Sequence, residues 1–140
     1  MCAVVLAAAL GPLVQLIAMA GDLDPSFGIA GVATAPSPSH SAATAVAVQP
    51  DGKVVAAGTD ERTLYIARFN ADGSLDTGFG TGGVVTANLS SENFLSEWPF
   101  EVLLRPDGRI VVVAGFYDVG AVPKVALVPY HPAGSLRTAF

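Results

Sequence analysis

The sequence has little cysteine and little charge. Cys2 is the only cysteine among 140 residues, which excludes an intramolecular disulfide and a zinc site built from several thiolates. Charged side chains make up 14% of the chain, and 7 basic residues against 12 acidic ones give a net charge of −5. A nucleic-acid partner would need a basic surface that neutralises phosphates. This balance therefore argues against nucleic acid as a partner.

What the sequence does contain is a series of short apolar runs interrupted by glycine and proline. Hydrophobic residues make up 51% of the chain, with 15 Gly and 10 Pro. This composition is typical of an all-β protein with frequent turns. The length suffices for one ordinary domain with a modest core.

The N-terminal run, residues 1–20, has no charged side chain and ends in Ala18-Met19-Ala20. Small residues at the first and third positions of that triplet suit cleavage by signal peptidase. The run predicts a signal peptide removed before Gly21, and hence a secreted, periplasmic or cell-surface protein. Two alternatives stay open: an uncleaved apolar helix, since about 20 apolar residues can span a bilayer, and a buried core segment.

Two motifs recur along the chain in the same order. The first reads GDLDPSFGIAG from Gly21, GSLDTGFGTGG from Gly73 and GSLRTAF from Gly134. The second is a Pro-Asp-Gly element, QPDGKVV at 49–55 and RPDGRIV at 105–111. Recurrence of this kind indicates tandem structural repeats. We divide the chain into unit 1 (21–72), unit 2 (73–133) and the start of a third unit (134–140).

Each unit contains four short runs bounded by Gly or Pro and rich in β-branched residues, which favours strands over helices. The predicted strands are 31–35, 43–49, 53–58 and 63–70 in unit 1, and 83–87, 100–105, 109–115 and 124–130 in unit 2. Short turns between successive strands predict antiparallel pairing. The fold class is therefore all-β, built from antiparallel four-stranded units.

The recurring residues have predicted structural roles. Asp51-Gly52 and Asp107-Gly108 have the composition of tight hairpin turns, and this reading is favoured over catalytic carboxylates. We expect the stretch 73–83 to connect one unit to the next. Within the repeated motif, apolar side chains are expected to plug into the core, an acid to shape the turn and a glycine to bend the path: Leu23, Phe27, Leu75, Asp76, Phe79 and Gly80.

QPDGKVVAAG at 49–58 followed by LYIARFNADGSLDTGFGTGGVV at 64–85 resembles the delta-60 repeat of bacterial exported proteins. That family's units resemble four-stranded propeller blades and imply no established activity. The resemblance implies about two blades, open rather than closed, because propellers typically need 4–8 blades. Open sheet edges invite pairing with other strands. The expected partners are other repeat units or a second copy of the chain, with a surface or extracellular partner as a further option.

Two cofactor patterns deserve testing against the residues. GFGTGG at 78–83 satisfies G-x-G-x-x-G, but a strand former follows it where a dinucleotide site needs a helix. Asp72, Ser74 and Asp76 alternate like the first ligands of an EF-hand loop, although the later ligands are missing. Turn residues that bond backbone amides are the favoured interpretation. Calcium is thus the one cofactor left open, and otherwise none is expected.

No catalytic constellation emerges from the sequence. Ser39-His40-Ser41 lacks a nucleophile elbow. Trp98 lies between acidic residues and is a possible ligand platform, for instance for a sugar ring, with core packing as the favoured alternative. We therefore predict an exported, non-catalytic β-repeat module that acts as a structural or protein-interaction scaffold. The alternatives are a glycan-binding module that uses its loops, and a fragment of a larger repeat array.

Overall fold

The computed structural model describes residues 21–37, 41–60, 63–87, 97–117 and 122–137. Within these ranges the chain forms seven β-strands and no helix, so nothing described has the helical length and apolar character needed to cross a bilayer. The apolar run 1–20 lies outside the described residues, and so does the prediction that concerns it.

The seven strands form two antiparallel sheets. Their bounds are β1 Ser41–Val48, β2 Val54–Asp60, β3 Thr63–Phe69, β4 Val84–Ala87, β5 Glu97–Leu104, β6 Ile110–Tyr117 and β7 Pro123–Tyr130. The first sheet has the order β1-β2-β3-β4 and the second the order β5-β6-β7. Each strand pairs antiparallel with its neighbour. The predicted all-β, antiparallel and open architecture is confirmed.

The first sheet does not coincide with a sequence unit. Strand β4 belongs to unit 2 by sequence, yet it pairs with β3 of unit 1, with Ile66 opposite Val85. The stretch 73–83 therefore joins two strands of the same sheet, and the expectation that it leads from one sheet to the next is wrong. The reason is local: successive turns centred on positive-φ glycines reverse the chain and return it along β3.

The predicted strand at 31–35 is also wrong. Only an isolated bridge, Ile29 to Val32, occurs there. Its counterpart in the repeat, β4, is a strand because β3 supplies backbone partners. No described strand runs beside 32–35, and this segment is held instead by a hydrogen bond from the Tyr65 hydroxyl to the Pro36 carbonyl.

Both Pro-Asp-Gly elements form the turns of hairpins. Gly52 donates its N–H to the Gln49 carbonyl at 2.9 Å, and Gly108 donates to the Arg105 carbonyl at 2.9 Å. The two glycines have φ of 83° and 78°, a region where a side chain would be strained. Glycine at this place therefore allows the tight reversals β1-β2 and β5-β6.

The two sheets pack face to face, with β5 lying against β1, β2 and β3. Both contribute apolar side chains to a single core, as expected for stacked sheets. The buried core residues are Val55, Ala57, Leu64, Ile66 and Phe79 from the first sheet and its connector, and Val102, Ile110, Val112, Val128 and Tyr130 from the second.

Candidate functional site

The densest polar constellation lies where the stretch 73–83 meets the second sheet. We call the three copies of the repeated motif connector 1 (21–31), connector 2 (73–83) and connector 3 (134–137). Asp76 of connector 2 is the centre of the constellation. Its Oδ2 accepts from Arg68 Nε at 2.7 Å and from Lys53 Nζ at 2.8 Å. We refer to Lys53, Arg68, Asp76 and Phe79 as the junction.

The junction carboxylate is charged and largely enclosed, since the Asp76 and Arg68 side chains are each only 11% exposed. The hydrogen bond from Lys53 lowers the pKa of Asp76 below its usual value. Burial opposes this, while the Gly78 N–H and Arg68 act in the same direction as Lys53. Asp76 therefore stays ionised and paired over the ordinary range of pH.

Arg68 links three parts of the chain. It leaves β3, and its guanidinium lies 4.5 Å from the centroid of the Phe79 ring, a favourable cation–π distance. Its Nη1 donates to the Pro132 carbonyl at 2.5 Å, just before connector 3. The Phe79 ring itself is fully buried. The junction thus joins β3, connector 2 and the second sheet.

Neighbouring connectors touch through the same backbone contact each time. Gly28 of connector 1 donates its N–H to the Asp72 carbonyl at 2.7 Å, and Gly80 of connector 2 donates to the Ala133 carbonyl at 2.8 Å. These donors are equivalent in the repeat, and so are the acceptors. A side chain on Gly73 would collide with the Gly28 nitrogen. The repeated glycines therefore permit connector-to-connector contact.

The apolar connector residues differ in burial. Phe79 is buried, whereas Phe27 and Leu75 are half-buried. Leu23 is 65% exposed, so the expectation that it enters the core is wrong. Connector 1 does not join two strands of a described sheet, and no described strand lies over its leucine.

The acidic residues considered for calcium are engaged elsewhere. Asp72 Oδ1 accepts from the Ser74 N–H at 2.9 Å and from the Ser74 hydroxyl at 2.6 Å. The Ser74 side chain and then its amide lower the pKa of Asp72, against the effect of desolvation. Asp76 faces Lys53 and Arg68. The described residues contain no group of three or more His, Cys, Asp or Glu arranged to hold a metal.

The remaining sequence-predicted residues are dispersed. Asp51 and Asp107 accept from the backbone amides of Lys53 and Arg109 within their own turns. Trp98 of β5 pairs with Gly115 of β6, but the Trp98 side chain lies outside the described part of the structure. Ser39 and His40 lie outside it altogether.

A cleft of about 730 Å³ lies beside the junction, between β4 and connector 3. Both apolar and hydroxyl-bearing residues line it. Among them are Tyr65, Thr81, Val85, Thr86, Tyr130 and Ser135. Its size is in the range of small-molecule sites.

Sequence reasoning missed the partners of Asp76. Lys53 and Arg68 are two of only seven basic residues. Because basic residues are so few, their presence within predicted strands was the signal that pointed to a specific acidic partner. The repeat itself concealed them, because unit 2 has Arg109 and Pro129 at the equivalent places and connector 3 has Arg137 in place of the acid. In unit 2, Arg109 Nη2 instead pairs with Asp107 at 2.5 Å.

Two stretches, residues 49–79 and 105–140, match a family model described as "Domain of unknown function (DUF5122) beta-propeller". They include both Pro-Asp-Gly hairpin turns, and the second includes β6 and β7. The match supports a propeller-like repeat family for this chain. No curated protein matches the chain, and no solved structure does.

Proposed function

We propose that this propeller-like repeat chain is an exported, non-catalytic scaffold of the delta-60 type that binds other β-structures through the faces of its sheets. The observation that carries the proposal is that the charged and the apolar side chains lie in different places and make different contacts. The junction's charged groups hold connectors together, while apolar strand residues remain exposed on the outer sides of both sheets.

The junction supports the non-catalytic part of the proposal. A catalytic carboxylate must come within hydrogen-bond reach of a substrate proton. Both oxygens of Asp76 already accept hydrogen bonds, Oδ1 from the Gly78 N–H and Oδ2 from two cations. Lys53, Arg68 and Asp76 thus act on one another and on the backbone.

The outer sheet faces support the interaction part. Val46 and Val48 of β1 are 67% and 64% exposed, and Val125 and Leu127 of β7 are 67% and 52% exposed. These residues alternate along their strands, so each pair lies on one face. Exposed apolar patches on strands mark protein-interaction surfaces.

The first test is an activity screen of the purified full chain against a broad panel of hydrolase substrates, with Asp76→Asn alongside. A scaffold gives no turnover above buffer, and Asp76→Asn changes only the stability. Turnover that disappears in the folded Asp76→Asn variant would show the junction to be an active site and contradict the proposal.

Export is tested separately. The uncharged run 1–20 and its Ala18-Met19-Ala20 ending support a cleaved signal. N-terminal sequencing of protein recovered outside the bacterial cytoplasm should begin at Gly21. A recovered chain that still begins at Met1 would rule out cleavage.

A second candidate function, glycan binding, is favoured by the cleft between β4 and connector 3. The half-buried Tyr65 ring and the exposed Thr81 and Thr86 hydroxyls line this cleft and suit recognition of a sugar. Titration calorimetry with an oligosaccharide panel should detect binding that Thr86→Trp, which fills the cleft, abolishes. Binding lost in Trp98→Ala but retained in Thr86→Trp would place the site on the β5 side instead.

A further inference from the structure

The repeat makes the two sheets comparable position by position. Aligning the Pro-Asp-Gly turns and the connector glycines matches β1, β2 and β3 with β5, β6 and β7. Side chains alternate between the two sides of a strand, so each sheet has a face A and a face B. In the first sheet, face A contains Val55, Leu64 and Ile66, and face B contains Val46, Val48 and Phe69. In the second sheet, the equivalent face A contains Val111, Val125 and Leu127, and face B contains Val102, Leu104 and Tyr130.

The internal interface joins unlike faces. Leu64 and Ile66 from face A of the first sheet share the core with Val102 and Tyr130 from face B of the second. The sheets are therefore stacked head to tail, with the same orientation. Two faces remain outside this interface: face B of the first sheet and face A of the second.

Several residues on the remaining faces are exposed where their counterparts are buried, whereas Phe69 and Val111 on those faces are only 7% and 8% exposed. Leu64 and Ile66 are 0% exposed, while their equivalents Val125 and Leu127 are 67% and 52% exposed. On face B, the residue of the first sheet is exposed and its equivalent in the second sheet is buried.

There, Val46 is 67% exposed and its equivalent Val102 is 6% exposed. The two outer surfaces are thus the two halves of an interface that the chain already forms once within itself.

The number of strands in each sheet also indicates two complementary ends. Strand β4 completes the first sheet beside β3, whereas β7 has β6 on one side and no described strand on the other. The repeat equivalent of β4 is the segment 32–35, which pairs with no described strand. It lies by face B of the first sheet, in a hollow that Ala33 and Ala35 share with Phe69.

This is how β4 sits relative to the second sheet, where Val85 and Ala87 pack against the core that contains face B. Among the described residues, the segment 32–35 is therefore a fourth strand without its sheet. Strand β7 is the edge of a sheet without a described fourth strand.

We propose that a second copy of this chain docks head to tail, with face A of its second sheet on face B of the first sheet. The segment 32–35 then lies along β7 of the docked copy as its fourth strand. This inference rests on the proposed scaffold function and names its partner. The argument for a second copy is continuity with the internal interface, because the chain itself carries both complementary faces.

The docking requires one adjustment. Connector 1 and connector 3 are equivalent, so in the assembly residues 21–24 and 134–137 compete for one position. Residues 21–26 are all exposed, and connector 1 yields there, while Gly28 keeps its hydrogen bond to Asp72.

Among the residues of face A that differ between the new interface and the internal one, two change its charge. Glu101 stands in the place of Ala45, and Pro129 stands in the place of Arg68. The assembly therefore carries a carboxylate at the interface and lacks a second copy of the junction. Both differences make it weaker than the internal stack.

The geometry also limits the number of copies. An interface between unlike faces closes into a ring when the rotation per step allows it. Each copy brings two sheets, and closed propellers typically hold 4–8 of them. Rings of two to four copies satisfy both conditions.

The test begins with the mass of the full chain in solution, measured by light scattering after gel filtration. The wild type should assemble to two to four times the mass of a single chain. Leu127→Lys on face A and Val46→Lys on face B should each weaken association at least about tenfold, because each buries an unpaired charge. Val122→Lys, a valine 53% exposed outside the strands, is the matched control and stays assembled. Circular dichroism verifies that each variant is folded.

Mixing the two face variants distinguishes unlike faces from like ones. Each variant keeps the face that the other has lost, so an equimolar mixture should form one-to-one pairs more tightly than either variant associates with itself. Glu101→Ala should tighten the wild-type assembly.

A wild type that stays monomeric at high concentration, or a mixture that does not pair, overturns the proposal. A monomer without turnover in the activity screen would refute only the second copy, whereas turnover would refute the scaffold function.

Discussion

At the scale of single residues, Asp76 concentrates what little charge the chain has. It binds two of the seven basic side chains and is itself mostly enclosed. A buried ion pair need not be more stable than an apolar replacement, but removing one partner leaves an uncompensated buried charge. The junction is therefore sensitive to loss of any one of its members.

Asp76→Asn should destabilise the fold by about 3 kcal/mol, since Arg68 then remains buried without its counter-charge. Urea unfolding followed by circular dichroism measures the change. Asp107→Asn is the matched control: its carboxylate pairs with Arg109 and Arg105 at the surface, where solvent screens such pairs and they contribute little to stability. Equal losses in the two variants would contradict the enclosed ion pair.

The junction also predicts a dependence on pH. Because the folded-state pKa of Asp76 is lowered, its contribution to stability is complete above the unfolded pKa of about 3.9. It is lost as the pH falls from there through the lower folded-state pKa. The free energy of unfolding, measured between pH 6 and pH 2, should therefore decline less steeply below pH 4 in Asp76→Asn than in the wild type. Parallel profiles would show that Asp76 is not paired.

Phe79 is the apolar member of the junction. Phe79→Ala should cost about 3–5 kcal/mol, because a fully buried ring leaves a cavity and Arg68 loses its cation–π partner. Phe27→Ala, at the equivalent and half-buried place of connector 1, should cost clearly less. Thermal unfolding of both variants tests this, and a melting temperature of Phe79→Ala equal to that of the wild type would refute the anchoring role.

At the scale of elements, the connectors are shaped by glycines whose demands differ. Gly80 and Gly82 have φ of 55° and 60°, so both disfavour a side chain for the same backbone reason. Only at Gly80 is the place that a side chain would take also enclosed by neighbouring atoms. A Cβ there would collide with the Val84 carbonyl and lie 2.5 Å from Val85 Cγ2, whereas a Cβ on Gly82 would meet nothing within 4 Å.

Gly82→Ala should therefore cost about 1 kcal/mol, from the left-handed conformation alone. Gly80→Ala should cost several times more, and it should also loosen the contact between connectors 2 and 3. Chemical denaturation gives the two free energies, and hydrogen exchange at the Gly80 amide reports the contact. Similar losses in both variants would mean that the enclosure of Gly80 contributes nothing.

What the sequence predicts well is what neighbouring residues determine. The Asp-Gly turns follow from local turn chemistry, and the positions of β1–β3 and β5–β7 follow from apolar runs between turns. The pairing of β4 with β3 could not be read in this way, because it depends on how connector 2 reverses the chain. The same holds for 32–35, whose extended conformation has no described partner strand. Arg68 escaped notice because its contacts with Asp76 and Pro132 span 8 and 64 positions.

At the scale of the whole molecule, the two sheets form a stack whose outer faces carry exposed apolar side chains such as Val46 and Leu127. Stacked repeats gain much of their stability from such interfaces between neighbours. The outer faces therefore connect folding to association. A partner that binds only the folded state raises the apparent stability, and the gain grows with the concentration of that partner.

The melting temperature of the wild type should accordingly rise as protein concentration is increased across the range of assembly. Leu127→Lys should melt at a temperature independent of concentration, while the control Val122→Lys should behave like the wild type. Differential scanning calorimetry at several concentrations measures this. A wild-type melting temperature that does not change with protein concentration would show that assembly does not stabilise the fold.

The contact between connectors has a consequence for how such chains can diverge. Gly28 with Asp72 and Gly80 with Ala133 bond through backbone atoms only, so these hydrogen bonds do not depend on which side chains the strands carry. Pro-Asp-Gly turns can exchange one basic residue for another, and loops between strands can lengthen, while the contact between connectors stays the same. The backbone contact thus sets the distance between neighbouring connectors. The loop segments beside it can be replaced by foreign peptides without changing that distance.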